Sequence, residues 1–290
     1  MRLRSWLFVP ADSERKFEKA LASEADALIL DLEDAIQPAQ KSAARDLLAG
    51  WMAEERDGGP QAWVRVNPHG SGMTEEDLDA AMGPGCAGIV LPKAEGREDV
   101  VKLARLMDSF ESERGLEIGT RRVLVVATET PAAVFALPQY APPHARLAAL
   151  TWGAEDLSAE LGATSNMDAD GRLTEVYRHI RTQALLAACA AGVMPIEGVY
   201  TDFRDEAGLL ADSRAARRDG FTGRLAIHPA QVGPINAAFT PSDDEMAHAR
   251  RVVEAFAANP QAGALQLDGR MVDMPHLKAA RKTLAAGGES

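Results

Sequence analysis

Aromatic residues, cysteines and positive charge are all scarce in this chain. Phe, Trp and Tyr together make up 5% of its 290 residues, and the only cysteines are Cys86 and Cys189. Two thiols cannot build a disulfide framework. Both lie in alanine- and glycine-rich apolar segments, so they read as buried free thiols of a cytoplasmic protein. The 31 Lys and Arg are outnumbered by 43 Asp and Glu, and a net charge of −12 argues against a nucleic-acid partner. Long apolar runs are missing too. The longest uncharged one, residues 184–196, is well below the ~18 residues of a membrane span, so no membrane partner is expected. The apolar run near the N-terminus stops at Pro10 and reads as a strand, not a signal peptide. No Ser/His/Asp or Cys/His constellation stands out, which weighs against nucleophilic catalysis.

What the chain does contain is alternation. Short runs of Val, Ile and Leu recur eight times between longer helix-patterned stretches. The runs predict strands at 5–9, 27–31, 62–66, 88–91, 123–127, 147–151, 196–200 and 225–227. Being nearly continuous in apolar character, they suit parallel strands covered on both faces. Helices are predicted at 14–22, 41–52, 100–113, 173–191, 206–219 and 232–239, several behind a capping residue such as Ser13, Thr74 or Ser242. Eight such units in about 240 residues predict an α/β fold, a closed (β/α)8 TIM barrel. A doubly wound open sheet is the alternative, but no glycine-rich phosphate turn follows the first strand. Residues 1–240 then form the barrel and 241–290 a C-terminal helical extension. The tail from Ala264 is too short to fold alone and must pack on this barrel or on a neighbour.

Barrel chemistry sits at the C-terminal ends of the strands, and those ends are polar here. They read Asp31-Leu-Glu33-Asp34, Arg65-Val-Asn67, Lys93-Ala-Glu95, Thr128-Glu129-Thr130-Pro131, Trp152-Gly-Ala-Glu-Asp156 and Ile227-His228-Pro229. Carboxylates crowded into one mouth repel each other and invite a cation, and oxygen-only donors favour Mg²⁺ or Mn²⁺ over zinc. Each acid has a plainer reading as a helix N-cap. Glu129 is the better ligand candidate, since Thr130-Pro131 can start the next helix without it. Arg65 suits bidentate recognition of a carboxylate, or else a buried salt bridge. A Schiff base at Lys93 needs a depressed pKa that the surrounding acids oppose, so an ion-pair role is expected. The basic set Arg2, Arg4, Arg15, Lys16 and Lys19 marks either an anionic ligand or a solvated face.

In order along the chain, Arg4-Ser-Trp-Leu-Phe-Val-Pro10, Leu30-Asp-Leu-Glu-Asp34 with Lys41, Val64-Arg-Val-Asn-Pro68, Leu91-Pro-Lys93, Glu129-Thr130, Gly153-Ala-Glu-Asp156, Ile227-His-Pro229 and Leu267-Asp-Gly-Arg-Met-Val-Asp-Met-Pro275 resemble the citrate lyase beta subunit-like family. That family includes malyl-CoA and citramalyl-CoA lyases. The resemblance runs from residue 4 to about residue 284, and its specificity lies in the ordered set of motifs.

The resemblance implies a Mg²⁺-dependent lyase that splits a 3-hydroxyacyl thioester into acetyl-CoA and a 2-oxo acid, assembled as a homotrimer or hexamer. It implies Glu129 and Asp156 as metal ligands and Arg65 as the grip on the 2-oxo acid and its developing oxyanion. Asp273 would be the acid reaching a neighbouring subunit's site, and Glu33 and Lys41 would act electrostatically. Substrate binding would also involve Glu129, Gly153 and Ala154, with Lys16 and Lys19 facing the phosphates of CoA. Two alternatives remain open. One is a citrate lyase beta subunit that takes its thioester from an acyl-carrier protein, and the other is a non-catalytic barrel. The connection 157–172 is expected to shape the substrate pocket, and its Asp168-Ala-Asp170-Gly171 stretch reads as a solvated loop, not a calcium site.

Overall fold

The computed structural model describes residues 2–289. Eight parallel strands close on themselves in sequence order, β1-β2-β3-β4-β5-β6-β7-β8, with β8 pairing back to β1. They are β1 (Ser5–Pro10), β2 (Ala27–Asp31), β3 (Gln61–Arg65), β4 (Cys86–Leu91), β5 (Arg122–Val126), β6 (Leu147–Thr151), β7 (Met194–Glu197) and β8 (Gly223–Ala226). The helices between them are α1 (Glu14–Leu21), α2 (Lys41–Met52), α3 (Thr74–Ala81), α4 (Arg97–Glu113), α5 (Pro131–Ala136), α6 (Ala154–Leu161), α7 (Glu175–Ala191) and α8 (Glu206–Asp219). After β8 comes α9 (Val232–Phe239). The expected TIM barrel is the observed fold.

The chain divides into two compact units. The first, Leu3–Asn236, is the barrel. Its interior is filled by inward residues at period two, among them Trp6, Ile29, Trp63, Val90, Leu124 and Ile196. Trp6 and Trp63 meet edge to face, ring centroids 5.0 Å apart. One pleat period beyond Ile29 and Trp63 come Asp31 and Arg65, so the same alternation that builds the core delivers these two to the mouth.

The second unit comprises Arg2 and 237–289. It holds α10 (Asp243–Ala258), an antiparallel hairpin of β9 (Ala264–Leu267) and β10 (Arg270–Asp273), and α11 (Met274–Gly287). Ser242 caps α10 in a reciprocal box with Glu245. Val252, Phe256, Val272 and Leu277 form its own small core.

Several sequence expectations need correction. Cys86 is buried, its thiol pushed up to about 12 by burial, but Cys189 is exposed on α7. Apolar neighbours in sequence do not bury a residue that faces out from a helix. Thr74 is not an N-cap. It is the first residue of α3, and its hydroxyl donates to the Asn67 carbonyl. β7 ends at Glu197, three residues before the expected end, because Gly198 gives its N–H to the Glu197 side chain and leaves the ladder. β8 stops at Ala226 for the same kind of reason, since Ile227 N–H donates to the Gln231 side chain. Residues 157–161, expected within a connection, continue α6 until Gly162 turns left-handed at φ 65°. No helix of the described residues is long and apolar enough to cross a membrane.

Candidate active site

A cavity of about 450 Å³ opens at the C-terminal ends of the barrel strands, and Asp31, Arg65, Glu129, Gly153, Ala154 and Asp156 are among its lining residues. The sequence motifs at strands two, three, five and six therefore converge on one mouth.

Arg65 sits at its centre. Its guanidinium makes two parallel hydrogen bonds to Asp31, 2.8 Å from Nε and 2.7 Å from Nη2. Nη1 lies 3.2 Å from Glu33 Oε2. That contact is an ion pair without a hydrogen bond, and the Glu33 oxygen has no other partner among the described residues. Burial works against the charge on Arg65, but the hydrogen bond and charge of Asp31 and the charge of Glu33 outweigh it, so its pKa rises. The guanidinium also stacks over Phe8, 4.8 Å from the ring centroid. The salt-bridge reading of Arg65 is the one observed, and the residue so paired also lines the cavity. The sequence motif gives Asp31 no role of its own, and its register beside Arg65 supplies one.

Lys93 takes the ion-pair role expected of it. Its ammonium is 2.5 Å from Glu33, 3.4 Å from Asp156 and 3.5 Å from Asp34. Burial opposes the charged amine, but Glu33 first, then Asp156 and Glu129, raise its pKa above the ordinary value. The backbone of Lys93 is left-handed at φ 50°, a conformation uncommon outside glycine. In that conformation the Lys93 N–H donates to Glu129 Oε2. One residue therefore holds acids from two strands, through its side chain and through its backbone.

Glu129 is 2% exposed. Thr130 caps α5 by accepting from Ala133 N–H, so Glu129 is free of capping duty. Burial, with the charges of Glu33 and Asp156 added, pushes its carboxyl up to about 8 against the pull of Lys93. Gly153 makes room for it, since a Cβ there would stand 3.1 Å from Glu129 Cγ. Burial raises the Glu33 carboxyl as well, with Arg65 and Lys93 opposing. Lys41, 7% exposed, reaches the same loop from α2 and donates to the carbonyls of Leu32 and Glu33 and to Asn67 Oδ1, at 2.8, 3.0 and 2.6 Å.

Asp156 lies in the first turn of α6, whose N-terminus has no side-chain cap bond and whose residues Ala154, Glu155 and Asp156 line the cavity. A hard divalent cation fits this donor set. Two carboxylates from adjacent strand ends supply oxygen only, and a carboxyl pushed up to about 8 by burial and by like charges gains from a cation beside it. Among the described residues no group of three His, Cys, Asp or Glu forms a metal cage. The protein would thus contribute Glu129 and Asp156 and leave the other coordination positions to water and substrate, as Mg²⁺ sites commonly do.

The remaining candidates lie outside this cluster. Lys16 is exposed near the start of α1 and pairs with Asp12 at 3.1 Å, and Lys19 is exposed one turn on. Arg4 belongs to the far end of β1, where it binds Asp26, so the basic residues do not form one patch. His228 caps the turn after β8 and stacks on Phe203 at 4.8 Å. Asp168 ties its loop together through the N–H groups of Asp170 and Arg172. Asp273 belongs to the second unit. There it meets His276 Nδ1 at 2.5 Å, a hydrogen bond that lowers its carboxyl below the usual range.

The model of the HpcH/HpaI aldolase/citrate lyase family matches residues 4–229. The chain belongs to that family. A citrate lyase subunit beta-like protein of Mycobacterium tuberculosis is 37% identical over 287 residues, 98% of this chain and 96% of that one. A mitochondrial citramalyl-CoA lyase of Rattus norvegicus is 32% identical over 96% of this chain and 84% of its own length. A (3S)-malyl-CoA thioesterase of Cereibacter sphaeroides is 35% identical over 97% and 93%. The crystal structure of CitE from Mycobacterium tuberculosis in complex with magnesium, acetoacetate and coenzyme A superposes with a TM-score of 0.81 at 36% identity, covering 99% of this chain and 98% of that one.

Proposed function

We propose that the chain is a Mg²⁺-dependent carbon–carbon lyase that cleaves a 3-hydroxyacyl-CoA thioester of the malyl-CoA or citramalyl-CoA type into acetyl-CoA and a 2-oxo acid. The observation that carries this reading is the meeting, in one mouth, of the oxygen donors Glu129 and Asp156 with the oriented guanidinium of Arg65. Glu129 and Asp156 would hold the Mg²⁺, which would supply Lewis-acid stabilisation of the substrate's hydroxyl oxygen. Arg65 adds positive charge at the carboxylate and the developing oxyanion, and Asp31 keeps it aimed. The amides of the first turn of α6, from Ala154 onward, receive the substrate carboxylate, while Gly153 gives its own N–H to Thr128 Oγ1 at 3.1 Å. Lys93 and Lys41 hold Glu33 and its loop in place. Lys16 and Lys19 attract the phosphates of CoA.

Asp273, contributed by a neighbouring copy in a homotrimer or hexamer, exchanges the proton at the acetyl carbon. The hydrogen bond with His276 keeps its carboxylate ionised, the form that accepts a proton in the condensing direction, and its conjugate acid is the donor in cleavage. The cytoplasm is the proposed site of action.

Two further readings have relatives in their favour. The thioesterase relative favours hydrolysis of the same thioester, and the beta-like relative favours a citrate lyase subunit served by an acyl-carrier protein. One assay separates them. With Mg²⁺ and either malyl-CoA or citramalyl-CoA, a lyase releases acetyl-CoA with glyoxylate or pyruvate, and EDTA stops it. Free CoA with the intact hydroxy acid would replace this reading with the thioesterase. Inertness toward both CoA esters, with turnover of citryl-acyl-carrier protein, would replace it with the subunit.

A further inference from the structure

Beside the mouth lies a second cavity, of about 660 Å³. The two share one wall, made by Trp152, Ala154, Glu155 and Val199. Trp152 is the bulk of that wall, and it is held from several sides. Its indole N–H donates to Glu197 Oε1 at 2.5 Å. Glu197 is 1% exposed and is fixed in turn by Arg181, at 2.6 and 2.7 Å, and by the N–H of Gly198 at 2.9 Å. Arg181 is itself anchored to Asp219 at 2.8 Å and stacks on Phe221. Behind the ring stands Gly198, where a Cβ would come within 3.2 Å of the indole, so the backbone at the end of β7 presses against it. None of this restraint serves metal binding or the positioning of Arg65. It immobilises one large side chain between the reacting centre and a larger empty space.

We propose that Trp152, locked by the Glu197–Arg181 pair, sets the length limit on the 2-oxo acid, and that the cavity behind it is room denied to longer side chains. The proposal rests on the lyase reading. A 2-oxo acid whose carboxylate and ketone oxygen are engaged at Arg65, Glu129 and Asp156 has its side chain confined to the 450 Å³ mouth. Each carbon that meets a fixed wall lowers kcat/KM by about 10- to 200-fold. A wall held by the buried Glu197 carboxylate, itself gripped by the partly buried Arg181, does not yield as a flexible side chain would. Trp152 is therefore a specificity-determining residue and Glu197 its positioning residue.

The test runs the condensing direction, with acetyl-CoA and Mg²⁺ against glyoxylate, pyruvate, 2-oxobutanoate and 2-oxopentanoate in separate reactions. Wild type, Trp152→Phe, Val199→Ala and Glu197→Gln are compared, each checked for folding by its thermal melt. Wild type should show a drop of about tenfold or more in kcat/KM at one step of the series, carried by KM. Trp152→Phe and Val199→Ala should move that step to a longer acid, raising kcat/KM for that acid relative to the shortest one. Glu197→Gln should move it in the same direction by less. If Trp152→Phe does not fold, Val199→Ala carries the test alone, since it opens the same wall by two methyl groups. An unmoved step in an active series, or a loss equal for every acid, overturns the proposal and leaves the lyase reading standing. A folded wild type inert toward all four acids overturns that reading and the proposal with it.

Discussion

Asp31 and Arg65 are register partners across β2 and β3, and their side chains close the same pairing with hydrogen bonds of 2.8 and 2.7 Å. A planar fork met by a planar carboxylate fixes the direction of the guanidinium, leaving Nη1 toward Glu33 and the cavity. Asp31 also accepts the N–H groups of Glu33 and Ala35, so one carboxylate shapes both the arginine and the loop after β2.

Replacing Asp31 should therefore cost stability and activity together. Asp31 is 2% exposed, and breaking a buried pair by removing one charge costs about 3 kcal/mol or more. Asp31→Asn should lower the melting temperature accordingly and reduce kcat/KM by about 10²-fold through a misplaced Arg65. Arg65→Lys keeps the charge but loses the fork. It should retain the fold with a similar loss of kcat/KM. Thermal melts and steady-state kinetics check both, and a fully active Asp31→Asn would remove Asp31 from the positioning of Arg65.

The Glu129 carboxyl, raised to about 8 from 4.5, predicts an unusual pH dependence for the metal-free protein. Between those values the folded state keeps a proton that the unfolded state has released, so stability falls as pH rises through this window. The contribution is on the order of 5 kcal/mol across that whole window. Glu129→Gln carries no charge to bury. In EDTA its melting temperature should match wild type near pH 5 and exceed it by pH 8, and saturating Mg²⁺ should restore wild type only. Equal melting temperatures across the range would mean that burial does not raise this carboxyl.

The barrel was legible because eight apolar runs at regular spacing leave few other solutions, and the acids at the strand ends were legible for the same reason. Partnership was not. The sequence contains Arg65 and Lys93 as cations near acids, but only the register of β2 against β3 assigns Asp31 to Arg65. Likewise only the left-handed turn at Lys93 brings its N–H to Glu129. Trp152 has no assigned role in the sequence, and it gains one only because Glu197, 45 residues on, meets its indole. Such contacts are long-range, and no local pattern encodes them. The grouping of Arg4 with Lys16 and Lys19 shows the converse. They are close in sequence, but a six-residue strand lies between Arg4 and α1.

Lys93 should form no covalent adduct with a 2-oxo acid. A Schiff base begins with a neutral amine, whereas Glu33, Asp156 and Glu129 hold this one as ammonium. Borohydride added with pyruvate should leave the intact mass unchanged. Lys93→Met should instead act through the acids it releases. Glu33 is 4% exposed, and losing its hydrogen-bonded cation should destabilise the protein by about 2 kcal/mol. A borohydride-trapped adduct mapped to Lys93 would reverse this assignment.

Asp273 is the one proposed catalytic group outside the barrel unit, and its role makes a prediction about mixed assemblies. Asp273→Asn keeps the size of the side chain and its contact with His276, so the fold and Mg²⁺ binding should persist. Turnover should fall by about 10²–10⁴-fold, as expected for loss of a positioned acid/base. Glu129→Gln should be inactive for a different reason, the loss of a metal ligand. If Asp273 serves a neighbour's mouth, the two defects lie in different subunits' contributions to one site. A barrel with intact Glu129 can then meet an intact Asp273 from the other variant. Denaturing the two inactive variants together and refolding them should recover a fraction of wild-type activity set by random mixing, while each refolded alone stays inactive. No recovery from mixed oligomers, verified by differently tagged subunits, would place Asp273 at its own chain's site or outside the mechanism.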